Sequence, residues 1–155
     1  MPKPHPLPLA FVLSVVMSSA AHAQAPKTEI IQATDLPALT AVKGTTVQVE
    51  GVIESAKWSS SGKVMMIQFE GKPDEALLAA VFEKQRKKFD DAFSGDAAKS
   101  FTGAKVRLKG RLIEYDGPDE QLKGRLQLIL GQSFQVTIVT PAPETQPTSV
   151  PSSPN

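Results

Sequence analysis

Polar and apolar residues alternate in two stretches that copy one another. Gly44-Thr-Thr-Val47-Gln-Val49-Glu-Gly51-Val-Ile53 matches Gly103-Ala-Lys-Val106-Arg-Leu108-Lys-Gly110-Arg-Leu112, and both read G-x-x-V-x-[VL]-x-G-x-[IL]. Alternation of this kind predicts strands. It puts Val47, Val49, Gly51 and Ile53 on one face, and Val106, Leu108, Gly110 and Leu112 on the matching face of the other copy. A glycine on an inward face removes a side chain where a strand must bend across a small core. Two such strands predict a coiled sheet that closes on itself.

Other elements follow from the same pattern. Lys63–Phe69 is a strand after the turn Ser59-Ser60-Ser61-Gly62. Leu77–Phe82 is uniformly apolar, and its pattern leaves it between a strand and a helix start. Phe82, Phe89 and Phe93 stand at i, i+7 and i+11 with charged residues between them, which predicts an amphipathic helix over Glu83–Phe93. Gly95 supplies its stop. Arg125–Leu130 alternates again, and Phe134–Val139 is a last strand-like segment. Residues 24–43 form a lead-in, with Ile30, Ile31, Leu36 and Leu39 available to pack as a short helix or turn.

Three strands, a helix and two further strands make the order of an OB-fold. The expected fold is therefore mainly β: a five-stranded Greek-key barrel with one helix between strands three and four. Over about residues 30–139 the chain resembles the small exported bacterial OB-fold domains that occur alone or fused to secreted nucleases. The two glycine-bearing strands carry the resemblance, together with Tyr115-Asp116-Gly117, Leu126-Gln127-Leu128 and Phe134-Gln135-Val136. In that family the fourth strand ends on an aromatic and a glycine, and a Q-[IL]-x-[IL] strand follows. Here Pro118–Gly124 is inserted between the two. The resemblance implies nucleic-acid binding.

The N-terminus changes the picture of where the chain works. A basic start, an apolar run from Leu9 to Met17 and the ending Ala21-His22-Ala23 form a secretory signal peptide over residues 1–23. The run is short for a bilayer span, which takes about 20 apolar residues. Cleavage near Ala23 predicts a periplasmic or extracellular protein with no integral membrane span. Lys3 leaves with the signal, so 16 basic residues face 16 acidic ones. Both histidines leave too, and the chain has no cysteine. Disulfides, thiol catalysis, Ser-His-Asp triads and the usual zinc ligands are thereby excluded, and the expectation is a protein that is not an enzyme. No glycine-rich phosphate loop is present, and no cofactor is implied. All glycines lie between Gly44 and Gly131, whereas five of the 13 prolines lie between Pro141 and Pro154. Residues 44–139 are thus the expected barrel, and 140–155 a disordered, Pro-rich tail.

OB barrels bind on the face of strands two and three, between the loops joining strands one–two and four–five. Those loops fall at about Lys57–Gly62 and Asp116–Gly124. Trp58 and Tyr115 flank them as candidates for base stacking, or as packing residues at the barrel rim. Lys57, Lys63, Lys123 and Arg125 stand beside them as candidates for phosphate contacts. Lys105, Arg107, Lys109 and Arg111 alternate along one strand, either as a nucleic-acid track or as a solvated face that discourages edge pairing. Asp116, Asp119 and Glu120 fit no standard metal loop, and no metal site is expected. Of the adjacent Met65 and Met66, one fills the core and the other is free to face the cleft. The expected partner is single-stranded DNA or RNA. The alternative is an envelope protein met by the barrel with the Pro-rich tail as tether, or an oligosaccharide stacked in the same cleft.

Overall fold

The computed structural model describes residues 29–72 and 75–143. The signal peptide expected over 1–23 and, of the tail expected over 140–155, the residues from 144 onward lie outside the described residues. The elements in chain order are β1 (Ile30–Gln32), α1 (Leu36–Ala41), β2 (Thr46–Trp58), β3 (Val64–Phe69), β4 (Leu78–Phe82), α2 (Arg86–Ala92), α3 (Ala97–Phe101), β5 (Lys105–Glu114), β6 (Leu126–Leu130) and β7 (Val136–Thr140). Among the described residues no helix is long and apolar enough to cross a membrane.

β2, β3, β4, β6 and β5 pair in that order, and β5 returns to pair with β2. The closed five-stranded barrel is an OB-fold, with β4 and β6 as its parallel pair and helices α2 and α3 between β4 and β5. β1 adds alongside β2, and β7 alongside β5.

The internal echo has a direct structural meaning, because its two copies pair with each other. Val47 faces Gly110 and Gly51 faces Val106 across the β2–β5 ladder. Each copy opens on a glycine with left-handed backbone, φ +87° at Gly44 and +80° at Gly103. Each of these glycines closes the ladder onto the last apolar residue of the other copy. The Gly44 amide donates to the Leu112 carbonyl and the Gly103 amide to the Ile53 carbonyl, both at 2.8 Å. The bend expected in the first strand lies just past Gly51, where the β2–β3 register shifts between Ile53 and Ser55.

Alternation sorts the barrel as expected. Val49, Ile53, Met65, Ile67, Phe69, Val106, Leu108, Leu112, Leu128 and Leu130 are fully buried. Burial of each such side chain contributes about 1.5–3 kcal/mol. Leu77–Phe82, ambiguous by pattern, contains strand β4.

The predicted helix over Glu83–Phe93 is shorter and has a second part. Glu83–Gln85 is a 3-10 turn, α2 follows to Ala92, and the left-handed pair Ser94 and Gly95 (φ 56° and 85°) ends it. Asp96 then caps α3, accepting from the Lys99 amide at 3.0 Å. Phe82 is not on the helix: it ends β4 and is 43% exposed. Phe101 of α3 joins Phe89 and Phe93 instead, with Phe93 and Phe101 ring centroids 4.7 Å apart.

In the lead-in, Ile30 and Ile31 form a strand rather than a turn, and Leu39 of α1 is buried. Asp35 caps α1 by accepting from the Ala38 amide at 3.1 Å. After β7, Ala142 still packs against the core.

Candidate functional site

The cleft of interest lies on the outer face of β3 and β4 and has a volume of about 490 Å³. Strand alternation supplies its floor. Met65 and Val81 point into the barrel, so Val64, Met66, Ala80 and Phe82 face outward into the cleft. Ile113 of β5 and Gln127 of β6 extend the floor, and Tyr115–Pro118 forms one wall. The lining is mostly apolar with a few polar groups, and its size falls in the range of small-ligand sites, roughly 300–1,000 Å³.

The wall is shaped by one glycine. The Tyr115 ring lies so close over Gly117 that a Cβ there would strike its Cζ and hydroxyl oxygen. The Tyr115 hydroxyl also accepts from the Asp119 amide at 3.4 Å. At the base of the loop the Tyr115 amide donates to the Arg125 carbonyl at 2.8 Å, and the Gly124 amide to the Tyr115 carbonyl at 3.0 Å. These bonds extend the β5–β6 ladder beyond its last strand residue.

Of the six predicted site residues, only Tyr115 lines this cleft. β2 runs through Trp58, so the first loop is the short segment 59–63. Trp58 is paired with Met65 and falls on the interior side of its strand. It packs partly against the core, with the Arg86 guanidinium 4.7 Å from its ring centroid. Lys57 is opposite Met66, on the cleft side, and is exposed. Lys63 is exposed just before Val64, and its carbonyl accepts from the Glu83 amide at 2.8 Å. Lys123 lies away from the cleft beside α1 and pairs with Glu120 at 3.2 Å. Arg125 is turned the same way, and its Nη2 donates to the Ala76 carbonyl at 2.7 Å.

The basic stripe on β5 is largely engaged within the fold. Lys105 and Arg107 hold the Glu50 carboxylate at 2.8 and 2.7 Å. Those two hydrogen-bonded cations, Lys105 first, keep the Glu50 carboxyl below the usual carboxylate range. Arg111 Nε donates to the Gly44 carbonyl at 3.1 Å. Lys109 is exposed. Of the loop acids, Glu120 is taken by Lys123, and Asp119 accepts from the Gln121 amide at 3.0 Å.

Sequence reasoning did not single out Phe82 or Gln127 as site residues. Phe82 was hidden by its helical spacing to Phe89. Gln127 was visible only as a polar residue inside an apolar strand, Leu126-Gln127-Leu128. It is 5% exposed, and its position on the outer face follows from its buried neighbours Leu126 and Leu128. The cleft also carries acids, since Glu114 and Asp116 both line it. Glu114 is paired with Lys43 at 2.6 Å.

Among solved structures the fold is shared with an aspartyl-tRNA synthetase from Leishmania major Friedlin. The TM-score is 0.51 at 10% identity, over 82% of this chain and 24% of that one. An aspartyl-tRNA synthetase from Entamoeba histolytica superimposes at 0.49 with 15% identity, over 90% of this chain and 29% of its own. An OBody bound to hen egg-white lysozyme gives 0.44 at 16% identity, over 66% of this chain and 86% of its own. The chain thus spans only 24% and 29% of the length of these two synthetases. No family pattern matches the chain, and no curated protein does.

Proposed function

We propose that this chain is an exported, non-enzymatic OB-fold module that binds single-stranded nucleic acid on the face of β3 and β4. The observation that carries the reading is the apolar cleft walled by Tyr115, in the position where OB barrels take their ligands. Apolar floor and aromatic wall suit the faces of unpaired bases. Lys57 and Lys63, exposed beside the floor, are the cations placed to meet phosphates. Export rests on the N-terminal sequence, and the non-enzymatic role on the absence of His and Cys beyond residue 23.

The test is fluorescence anisotropy of labelled single-stranded DNA and RNA 12-mers with the full-length chain at low and moderate salt. Two phosphate contacts give a slope of log affinity against log salt near −1.4, from about −0.7 per contact. Saturable binding with that shallow slope is expected. Absence of binding at low salt overturns the reading.

A second reading, docking of an envelope protein, is favoured by Phe134. Its ring is 81% exposed on the 3-10 turn Ser133–Gln135. The Gln135 side chain locks that turn, accepting from the Gly131 and Gln132 amides at 2.7 and 2.8 Å and donating to the Lys109 carbonyl at 2.9 Å. A rigidly presented aromatic is a natural anchor for a partner surface. Loss of a co-purifying envelope protein on Phe134→Ser, with oligonucleotide binding absent, is the result that selects this reading.

A further inference from the structure

We propose that the outer face of β1, β2, β5 and β7 docks this chain on an anionic phospholipid surface, with the cations of β5 on the phosphates and the edge-strand aliphatics Ile30 and Val139 at the acyl boundary. This face lies round the barrel from the β3–β4 cleft, and the proposal goes beyond the nucleic-acid reading. Strand alternation turns Lys105, Arg107, Lys109 and Arg111 to one side, away from the buried Val106, Leu108 and Leu112. The ladders set that stripe among four strands. Ile30, Gln48 and Lys109 stand in one cross-strand row, and Gln32, Glu50, Arg107 and Thr137 in the next. Among the described residues Glu50 is the one acid facing outward in these paired stretches, so four cations and one carboxylate leave a net charge of +3. Lys105 and Arg107 share that carboxylate. Arg111 gives only its Nε to the Gly44 carbonyl, and the Lys109 side chain has no partner among the described residues. These bonds position the cations without cancelling their excess.

Cations on a strand often keep a free sheet edge from pairing. Lys105 and Arg107 have no such duty, because there β5 is paired with β2 on one side and with β7 on the other. A row of like charges also repels itself, and an anionic partner relieves that repulsion. What surrounds the stripe decides the partner. Single-stranded nucleic acid is held by cations together with aromatic rings under its bases. The stretches 30–32, 46–52, 105–111 and 136–140 contain no aromatic residue. They carry aliphatic side chains at both edges instead. Ile30 on β1 is 37% exposed and Val139 on β7 43%, two of the four exposed large apolar residues among those described. The register shift in β7 makes Val139 the extra residue between the partners of Lys105 and Val106. A bilayer surface offers phosphates to the middle of this face and acyl carbon to its rim, whereas a soluble polyanion offers only the phosphates. Docked this way, the chain keeps the β3–β4 cleft open to solvent.

The test is flotation of the full-length chain with vesicles of phosphatidylcholine alone and of phosphatidylcholine with about one-third phosphatidylglycerol, at low and moderate salt. The neutral vesicles measure whatever the apolar N-terminal run contributes. The expected result is a preference of roughly a hundredfold for the anionic vesicles at low salt, from about fivefold for each net charge. Lys109→Gln/Arg111→Gln removes two of the three net charges and should weaken anionic binding by roughly thirtyfold, with dT12 binding at the cleft unchanged. Ile30→Ser/Val139→Ser should weaken it about severalfold and keep its salt dependence. No preference for anionic vesicles at low salt overturns the proposal, and so does a preference that Lys109→Gln/Arg111→Gln leaves unmoved. Vesicle binding undiminished in Ile30→Ser/Val139→Ser overturns the bilayer as the partner. A dT12 affinity that falls as far as the vesicle affinity in the cation variant overturns it in favour of a nucleic-acid track. If the double cation variant fails to fold, Lys109→Gln alone decides, with an expected loss of about fivefold. Oligonucleotide binding without vesicle binding overturns this proposal only, and vesicle binding without oligonucleotide binding overturns only the nucleic-acid reading.

Discussion

Gly51 and Gly110 hold the same place in the repeated sequence pattern, and the structure predicts opposite responses to alanine. A Cβ on Gly51 would stand 2.7 Å from the Ala33 Cβ and 2.8 Å from Cδ1 of Phe69. Ordinary contacts between carbons begin nearer 3.5 Å. Ala33, just after the three-residue strand β1, is 2% exposed with its amide tied to the Glu50 carbonyl at 2.8 Å, and Phe69 is 0% exposed in the barrel interior. Overpacking of this kind costs about 1–3 kcal/mol. At Gly110 the nearest atoms to a new Cβ are Gln135 Nε2, the Ile129 carbonyl and Leu128 Cδ2, all at 3.6 Å. That is normal contact, and neither glycine has a positive φ. Gly110→Ala then gains about 0.4–1 kcal/mol from a stiffer unfolded chain. Thermal midpoints in a body of this size shift by roughly 4–8 °C per kcal/mol. Gly51→Ala should therefore melt roughly 10 °C low, and Gly110→Ala level with or a few degrees above the unsubstituted chain. Urea unfolding followed by circular dichroism and by Trp58 emission checks both. The double variant Gly51→Ala/Ala33→Gly relieves one of the two clashes and should recover only part of the loss. A Gly51→Ala protein as stable as the parent would refute the claim that β1 and Phe69 close over that strand.

Three further outcomes are expected. Glu50 titrates below its unfolded value, so its stabilisation is complete above the unfolded pKa and is lost as pH falls through the lower folded one. Glu50→Gln should flatten that part of the acid limb, read as urea midpoints from pH 7 to below about 4. Gly117→Ala should displace the Tyr115 ring, seen as shifted Tyr115 resonances and an oligonucleotide affinity several-fold weaker, with the melting temperature nearly unchanged because the loop is exposed. Arg125→Met should speed amide exchange around Ala76 and cost about 1.5–3 kcal/mol, the range for a hydrogen bond to a charged group. The salt slope of oligonucleotide binding should stay where it was.

The sequence by itself determined the barrel. Period-two alternation marked β2, β3, β5 and β6 and the residues each turns inward, and the place of the helix in the strand order made the closed sheet an OB-fold. It also marked the helix stop at Gly95. Alternation says which side of its own strand a residue takes. It does not say what other part of the chain lies against that side. Trp58 and Tyr115 look equivalent at strand ends, but the β2–β3 register sends one toward the barrel interior and leaves the other on the cleft wall. Phe82 keeps helical spacing to Phe89, yet pairing with Val64 holds it in β4. Arg125 sits beside the cleft in sequence and is drawn to the Ala76 carbonyl, 49 residues away. The two echo glycines differ because only one is covered by β1 and Phe69. Barrel closure brings such distant segments together, and a local pattern holds no term for contacts between them. For that reason the strands were legible in advance, while the cleft and the residues that line it were decided by the tertiary structure.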